Sequence, residues 1–480
     1  MTAGVAELLA TAVRRGPDHA ALVEAASGSV VSWREVATAV AEEAGALRAA
    51  GLADGDRVLL PAPTSAATAV ALFAVLHAGG VAVPVAADLP EPELRRLLDD
   101  SGARLVLPAA LASRAPAAPE CSSRGGDDLA MLCYTSATSG PSRGVMLSHR
   151  ALLANVEQCA GLRPAPVTAA DRVLLAVPLD HVYAIGCLLQ VARAGATAVL
   201  LEPFTAADAL AAAERHRVTV LPGVPPMYSA FLQRPPDELG EALSTVRLLT
   251  SGGAPLPPEV FAGVRAATGL TVFEGYGLTE AGPVLTSTMV AGYAKPGAVG
   301  RPLPGVELRI VDTDGTALPE ADEAGDERGG TGLIAVRTES AFSGYWPDGA
   351  HGPDGDGWFR TGDIGYLDTH GDLHLLDRAR DLIVVNGFNV YPYQVEHVLC
   401  AMPGVLDAAV VGAPDPNRGE VVKAVVVKAA GIDLTGEQVR QYCAGRLARF
   451  KVPEIVEFTD TLPHSVTGKL AHNALRARQR

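Results

Sequence analysis

Short, almost uninterrupted apolar runs that alternate with helical patterns constrain the fold of this 480-residue chain more than any other feature. A strand that is apolar along its whole length is buried on both faces, which is typical of a parallel sheet covered by helices. The first half of the chain therefore predicts an α/β fold with parallel sheets. The runs are "DRVLLPAP", "ARLVLPAA", "LAMLCYTS", "RVLLAVPL" and "TAVLLEPF".

One apolar segment, from Val58 to Ala87, contains no Lys, Arg, Asp or Glu and is long enough to cross a bilayer. Prolines and a Gly-Gly pair interrupt it, at Pro61, Pro63, Gly79, Gly80 and Pro84. These residues break helices and strands, so the segment predicts a buried helix followed by a short strand. We expect no membrane span.

Charge and cysteine content narrow the class of protein. The net charge of −15 argues against non-specific binding to nucleic acid or to an anionic membrane surface. The six cysteines are scattered, without a C-x-x-C pair or zinc-ligand spacing, which is typical of reduced thiols in a cytosolic enzyme. The N-terminal residues lack a signal-peptide pattern, so we expect a cytoplasmic location.

The composition changes towards the C-terminus. Residues 377–480 carry 13 Lys and Arg against 11 Asp and Glu, a net of +2, so the remaining chain carries −17. Upstream, residues 311–332 are rich in Gly and Asp and predict hairpins of a β-rich subdomain. We expect a large N-terminal domain, residues 1–377, of two α/β subdomains and this β-rich subdomain. A small α+β domain, residues 378–480, follows, with a capping box at Thr435 and Gln438.

The stretch "YTSATSGPSRG", Tyr134 to Gly144, follows an apolar strand and precedes a pattern that we interpret as helical, "VMLSHRALLANVEQ". Its backbone N–H groups, its hydroxyls and Arg143 form a potential anion site. The stretch does not fit G-x-x-x-x-G-K-[ST], because no Lys-Ser or Lys-Thr pair follows the glycine. Taken alone, it is equally consistent with a solvated polar turn.

Six further motifs follow in order along the chain: "PLDHVYAIG", "SGGAPL", "EGYGLTE", "GWFRTGD", "DRARDLIVVNGFNVYPYQVE" and "LPHSVTGK". Together with the Ser/Thr/Gly loop, this series closely resembles the adenylate-forming superfamily of acyl-CoA synthetases, carrier-protein adenylation domains and luciferases. The resemblance spans the whole chain. It implies that a carboxylate attacks the α-phosphate of ATP, giving an acyl-adenylate and pyrophosphate, and that a thiol, usually of coenzyme A, then displaces AMP.

The resemblance also implies roles for individual residues around ATP/AMP and Mg²⁺. Both half-reactions build negative charge on oxygen atoms, so fixed donors and cations carry most of the catalysis. The residues that match are Thr135, Ser136, Thr138, Ser139, Gly140 and Arg143 for the β- and γ-phosphates, Thr279 for the α-phosphate, Glu280 for Mg²⁺, Tyr276 and Gly277 with Gly252, Gly253 and Ala254 for adenine, and Asp363 with Arg378 for ribose.

Four more residues match positions that act on the acid and the thiol. Lys469 matches the lysine that neutralises the carboxylate and the α-phosphate during adenylation, and His181 matches the histidine beside the substrate carboxylate. Asp180 stands where an aromatic residue is common, and we expect it to point into solvent. Arg380 matches the hinge about which the small domain rotates, and Gly387 lets the pantetheine arm of coenzyme A pass close to the backbone.

The phosphate loop departs from the family pattern Y-T-S-G-T-T-G-x-P-K-G-V at Ala137, Ser139, Ser142 and Arg143. A Cβ at Ala137 costs on the order of 1–2 kcal/mol if the backbone there needs a positive φ. Arg143 keeps the charge but replaces a compact ammonium with a planar fork. All the departures fall on the part that holds pyrophosphate. One hypothesis is a complete two-step enzyme. The alternative is a poor adenylator specialised for thioesterification of an acyl-adenylate that a separate adenylating enzyme supplies.

Three other functional classes within or near this superfamily were weighed against an acyl-CoA synthetase. A stand-alone adenylation enzyme that loads a carrier protein is the nearest rival. Val384, where luciferases resemble one another in having lysine, argues against luciferase-like oxidation, and the retained Lys469 and Glu280 argue against a pseudoenzyme. Many of the expected pocket residues are small or apolar, among them Ala184, Gly186, Gly223 and Gly275, and the room that they leave predicts a bulky hydrophobic or aromatic carboxylic acid. They lie within 181–187, 221–228, 252–253 and 275–278. The sequence carries no prediction of oligomeric state.

Overall fold

The computed structural model describes residues 3–107, 120–135, 142–319, 330–385, 388–415 and 419–465, together with residues 470, 472 and 475. The described chain divides into two compact units. The first falls within residues 1–307 and 336–359, and the second within residues 308–335 and 360–480.

The first unit alternates helices with short strands, as the apolar runs predict. Its helices are α1 (Glu7–Arg15), α2 (Trp33–Ala49), α3 (Ala66–His77), α4 (Glu91–Ser101), α5 (His149–Ala160), α6 (Val182–Ala194), α7 (Ala206–Arg215), α8 (Pro225–Phe231), α9 (Pro236–Ala242) and α10 (Pro258–Thr268). Its strands are β1 (Ala20–Glu24), β2 (Val30–Ser32), β3 (Arg57–Pro61), β4 (Val81–Val85), β5 (Leu105–Val106), β6 (Leu129–Tyr134), β7 (Gly144–Ser148), β8 (Arg172–Leu175), β9 (Thr197–Leu200), β10 (Val220–Gly223), β11 (Leu248–Ser251), β12 (Val272–Gly277), β13 (Val284–Ser287) and β14 (Arg301–Pro302).

These strands form two sheets with parallel centres. One has the order β5-β3-β4-β6-β7, and the other has the order β14-β13-β12-β11-β10-β8-β9-β1-β2. The pairs β3/β4, β8/β9, β10/β11 and β11/β12 are parallel, whereas the edge pairs β6/β7, β13/β14 and β1/β2, and also β12/β13, are antiparallel. The predicted α/β class with parallel sheets is confirmed.

The uncharged segment from Val58 to Ala87 forms β3, α3 and β4, in agreement with the predicted helix and strand. Ser65 caps the N-terminus of α3, since its hydroxyl accepts a hydrogen bond from Thr68 N, and the helix is buried along most of its length. Within the part of the chain that the structure describes, no helix has both the length and the apolar character needed to span a bilayer.

The remaining strands build two further sheets. They are β15 (Glu307–Val311), β16 (Gly332–Arg337), β17 (Trp358–Leu367), β18 (Leu373–Arg378), β19 (Ile383–Val385), β20 (Phe388–Val390), β21 (Val405–Asp415), β22 (Gly419–Lys428) and β23 (Ile455–Thr459). The first sheet has the order β15-β16-β17-β18, and the second has the order β20-β19-β22-β21 with β23 beside β22. Helices α11 (Pro392–Cys400) and α12 (Gly436–Ala444) cover the second sheet over a Val- and Leu-rich core.

Two local predictions have opposite outcomes. The capping box of α12 is confirmed, since the Thr435 hydroxyl accepts from Gln438 N and the Gln438 side chain accepts from Thr435 N. The helix expected directly after the phosphate loop is wrong at its start, because residues 144–148 form β7 and pair with β6. Val145 and Leu147 are fully buried there, so this apolar run completes the sheet, and α5 begins only at His149.

Candidate active site

The carboxyl ends of β10, β11 and β12 meet at one edge of the large sheet, which is where open α/β sheets bind ligands. Ser251 pairs with Glu274 in the parallel β11/β12 ladder, so the next residues, Gly252 and Gly275, are neighbours. A Cβ on Gly252 would lie 3.8 Å from the carbonyl oxygen of Gly275, in ordinary contact. Tyr276 follows on β12 and is buried. The predicted adenine residues Gly252 and Tyr276 are therefore brought together.

Glu274, which sequence reasoning did not assign to the site, is a buried residue of β12 that holds the neighbouring loop in place. Its carboxylate accepts a hydrogen bond from Leu256 N at 3.1 Å, tying the loop that contains Gly253 and Ala254 to β12. The side chain is only 6% exposed, and burial raises its pKa to about 7. The sequence could have indicated this role, because an acidic residue within an otherwise apolar strand needs a hydrogen-bond donor when it is buried.

A tight turn holds Thr279 and Glu280 directly after β12. Gly277 has no room for a side chain, because a Cβ would collide with the carbonyl oxygen of Pro283. Leu278 N donates to the same carbonyl oxygen at 3.0 Å, and residues Thr279–Ala281 form one turn of 3₁₀ helix. The predicted α-phosphate and Mg²⁺ residues are therefore fixed one after the other at the end of the strand that carries Tyr276.

Tyr345, a second residue that sequence reasoning missed, connects Glu280 with the phosphate loop. Its hydroxyl donates to Glu280 Oε1 at 2.6 Å, and the Arg143 guanidinium carbon lies 5.2 Å from its ring centroid. Arginine is suited to this stacking because its cation is planar, whereas the ammonium of lysine is a compact point charge. Arg143 O also accepts from Thr135 N at 3.1 Å, which closes the neck of the loop.

The carboxylate of Glu280 fits a Mg²⁺ ion that arrives with ATP. Mg²⁺ is usually held by one or two carboxylates together with substrate phosphates and water. Over the described ranges, no group of three or more His, Cys, Asp or Glu side chains is arranged as a dedicated metal cluster. A single acidic side chain fits an Mg²⁺ ion whose other ligands would be substrate phosphates and water.

His181 caps the N-terminus of helix α6, and this role fixes which ring nitrogen carries the proton in the neutral form. Its Nδ1 accepts a hydrogen bond from Tyr183 N at 3.1 Å. In the neutral ring the proton must therefore sit on Nε2, which becomes a donor. The expectation that Asp180 points into solvent is wrong: Asp180 is half-buried, and burial together with the charges of Glu202 and Asp88 raises its pKa.

A narrow apolar cavity near His181 is lined by Leu175, Val177, Tyr183, Ala184, Cys187 and Pro222, and these side chains leave no space in it for even a water molecule. The Tyr183 hydroxyl lies 3.2 Å from Thr250 Oγ1, which fixes the ring across the cavity. Two glycines that were expected to leave room for a substrate are instead packed against other side chains. A Cβ on Gly223 would lie 2.9 Å from the Tyr228 ring, and one on Gly186 would lie 3.1 Å from Pro283.

In the second unit, the structure brings together the predicted ribose pair. Asp363 on β17 lies directly opposite Arg378 on β18 in an antiparallel ladder. Arg378 Nε lies 3.2 Å from Asp363 Oδ1, and Asp363 is only 8% exposed. The guanidinium therefore orients a buried carboxylate, which is the acceptor that ribose hydroxyls need.

The predicted thiol face is partly visible in the same unit. Phe388 is exposed and stacks on Phe450 with ring centroids 4.9 Å apart. Arg380 follows the ribose arginine by two residues, and its Nε lies 3.8 Å from Asp381 Oδ2. Several predicted site residues fall outside the described residues, namely Ser136, Thr138, Ser139, Gly140, Gly387 and Lys469.

Comparison with known families decides the membership of the chain. Residues 9–346 match the family described as "AMP-binding enzyme", and residues 394–469 match its "AMP-binding enzyme C-terminal domain". The chain belongs to the AMP-binding enzyme family. The predicted membership of the adenylate-forming acyl-CoA synthetases is confirmed by these matches and by the relatives described next.

Two curated relatives match this AMP-binding enzyme over nearly its whole length. A feruloyl-CoA synthase from an Amycolatopsis species is 37% identical, over 98% of this chain and 96% of that protein. A 4-coumarate–CoA ligase-like protein from Oryza sativa subsp. japonica is 34% identical, over 96% of this chain and 90% of that protein. An ATP-dependent, AMP-forming acyl-CoA ligase acting through an adenylate is the activity these comparisons support.

Solved structures agree with the fold of this AMP-binding enzyme. ATP-bound MatB from Rhodopseudomonas palustris superposes with a TM-score of 0.89 at 34% identity, covering 98% of both chains. An o-succinylbenzoate CoA synthetase from Bacillus subtilis, in complex with its acyl-adenylate intermediate, gives 0.86 at 28% identity over 98% and 97%. The predicted large N-terminal and smaller C-terminal domains match this architecture.

Proposed function

We propose that this AMP-binding enzyme activates an apolar, ring-containing carboxylic acid with ATP and transfers the acyl group to coenzyme A. The observation that carries the proposal is the turn at Thr279 and Glu280, which places a hydroxyl and a carboxylate just beyond the end of β12, the strand that carries Tyr276. A nucleotide lying against Tyr276 would have its α-phosphate beside Thr279. Glu280 would hold Mg²⁺, which supplies charge neutralisation at the phosphates when bound.

His181 and Lys469 would act on the acid. With its proton on Nε2, His181 donates a hydrogen bond to the substrate carboxylate without adding a full charge. Lys469 would bring the cation that lowers repulsion between this carboxylate and the α-phosphate. The domain at residues 378–480 would then rotate about Arg380, so that the face bearing Gly387 and Phe388 receives the thiol.

We include both half-reactions in the proposal because the side chain of Arg143 is held in place by Tyr345. Its guanidinium stacks on Tyr345, whose hydroxyl donates to Glu280, so a cation would stand beside the leaving pyrophosphate if Glu280 holds the Mg²⁺ of ATP. The test is ATP–pyrophosphate exchange with benzoate, 4-coumarate, ferulate, octanoate and palmitate, run beside thioester formation from the synthetic acyl-adenylates. We expect acid-dependent exchange at a rate comparable with thioester formation.

The same assay separates the alternatives. Thioester formation from acyl-adenylates without exchange would instead favour an enzyme that depends on a separate adenylating partner. Exchange followed by transfer to a phosphopantetheinylated carrier protein, and not to coenzyme A, would favour a carrier-loading enzyme.

The proposed acid class has two supports. The cavity near His181 is lined by apolar side chains and one aromatic ring. The relatives at 37% and 34% identity are named for ferulate and 4-coumarate, which are aromatic acids. An acid can enter this cavity only if the lining side chains move apart, and a planar ring then makes dispersion contacts on both of its faces.

Tyr183→Ala is expected to shift acid preference towards bulkier substrates. The substitution removes the ring that spans the cavity, so kcat/KM for a bulky acid relative to benzoate should rise about tenfold, the scale at which pocket size discriminates. The measurement compares kcat/KM for benzoate, ferulate and palmitate. Tyr183→Phe is the matched control, because it keeps the ring and removes only the hydroxyl beside Thr250. An unchanged preference in Tyr183→Ala would place the acyl group elsewhere.

A further inference from the structure

The described chain is attached to β21 immediately before and after residues 466–469. His464 Nε2 lies 2.7 Å from Asp407 Oδ2 on that strand. His464 also forms an antiparallel bridge with Leu470, so the two ends of the intervening segment are neighbours. Lys469 is joined by a peptide bond to Leu470, the second of these ends.

Apolar contacts strengthen this attachment. Successive side chains of a strand point to opposite faces, so Asp407, Ala409 and Val411 share one face of β21. Ala409 and Val411 form a small buried cluster with Leu475, against which Leu462 and Leu470 pack. The strand face that accepts the His464 pair therefore also receives the chain on both sides of Lys469.

A second histidine–carboxylate pair lies three residues after Lys469. His472 Nε2 is 2.7 Å from Glu396 Oε1, and this oxygen also accepts from Val410 N at 2.8 Å. Glu396 is 8% exposed and projects from α11. The pair therefore joins the C-terminal segment to both α11 and β21.

The surroundings of His472 favour its charged form. Burial alone lowers its pKa, but the hydrogen bond to Glu396 and the charges of Glu396, Asp381 and Asp377 raise it, and the net direction is upward. Asp377, which ends β18 next to Arg378, has its pKa raised mainly by burial. His472 therefore holds its proton to a higher pH than a free imidazole, beside acidic side chains from α11, from β18 and from the residues that follow β18.

We propose that His464 and His472 are positioning residues that anchor the chain on both sides of Lys469 and thereby set where its ammonium lies during adenylation. The proposal rests on the proposed role of Lys469. A lysine side chain is long and flexible, so its reach is useful only if its backbone is held. Misplacement of a catalytic group by about 1 Å costs up to about a hundredfold in rate.

The decisive comparison is between His472→Gln and His374→Gln. His374 forms an equivalent pair with Asp368 at 2.8 Å, and the two pairs have the same side-chain exposures, 15% for the histidine and 10% for the carboxylate. We expect His472→Gln to lower ATP–pyrophosphate exchange about tenfold or more and to change thioester formation from a synthetic acyl-adenylate less than about twofold. His374→Gln should leave the ratio of the two rates unchanged.

Other outcomes separate the inference from the function on which it depends. Equal losses in both half-reactions, or no loss of exchange in His472→Gln, would overturn the positioning role. If Lys469→Ala retains exchange, the proposed role of Lys469 in adenylation is wrong, independently of the result for His472→Gln. If Lys469→Ala loses exchange, the double variant Lys469→Ala/His472→Gln should lose little more, because His472 acts through Lys469.

The pH profile supplies a readout that a merely structural contact would not move. Since the folded pKa of His472 is raised above 6.5, the charge-assisted pair is complete below that pH and is lost as pH rises through the folded value. Exchange in the natural enzyme should therefore fall with rising pH relative to exchange in His472→Arg, which keeps its charge. This comparison of one half-reaction in two proteins is independent of the ionisation of the thiol, and identical exchange profiles in the two proteins contradict the proposal.

Discussion

Lys469→Ala is expected to lower the rate of adenylation about a thousandfold while leaving thioester formation from a synthetic acyl-adenylate within about threefold. Two anionic groups, the acid carboxylate and the α-phosphate, must approach each other in the first half-reaction only. Removing one preorganised charge-stabilising group typically costs 10²–10³-fold, about 3–4 kcal/mol. Single-turnover adenylate formation and ATP–pyrophosphate exchange measure the first step, and thioester release measures the second.

Lys428→Ala is the matched control for this prediction. It removes the same charge from the same small unit, at a position where the ammonium lies 4.6 Å from the Phe458 ring centroid. Both half-reactions should persist in this variant. An equal loss in the two lysine variants would attribute the effect to the net charge of the unit, and an equal loss of both steps in Lys469→Ala would mean that the lysine does not act selectively in adenylation.

The parts of the fold that follow from local pattern were predictable from the sequence. The continuous apolar runs became parallel strands because such runs need cover on both faces. The capping box at Thr435 was readable because a hydroxyl and an amide three residues apart satisfy each other's backbone donors. Asp363 and Arg378 were each assigned to ribose by resemblance, and the β17/β18 ladder places them directly opposite each other.

The features that sequence reasoning missed depend on contacts between distant parts of the chain. Strand β7 looked helical because Val145 and Leu147 fit either pattern until their pairing with β6 is known. The role of Tyr345 follows from its bridge with Val145, 200 residues away in sequence. Asp180 was expected in solvent, yet its neighbours Glu202 and Asp88 come from other loops. Small residues also misled, because Tyr228 and Pro283 fill the space that Gly223 and Gly186 leave.

Glu280→Gln is expected to lower adenylation about a hundredfold and to raise the Mg²⁺ concentration for half-maximal exchange about tenfold. An amide keeps the shape of the side chain but supplies a neutral and weaker ligand to a hard cation. Calorimetric binding of ATP with and without Mg²⁺ provides a readout independent of turnover. The variant should bind metal-free ATP as the natural enzyme does and should lose most of the gain that Mg²⁺ gives. A retained gain would exclude Glu280 as the metal ligand.

Graded variants of Tyr345 then separate its two contacts. Tyr345→Phe keeps the ring beneath Arg143 and removes only the hydroxyl that donates to Glu280, so a loss of about three- to tenfold in adenylation is expected. Tyr345→Leu also removes the ring and should cost about tenfold more, because the guanidinium loses its stacking partner and the loop loses a fixed cation. Arg143→Lys, made in the natural enzyme, should lower adenylation about tenfold, the same factor that separates Tyr345→Leu from Tyr345→Phe. The reason is that an ammonium replaces the planar cation that stacks on the ring. If Arg143→Lys is instead as active as the natural enzyme, the stacking contributes nothing and only the charge at residue 143 matters for pyrophosphate.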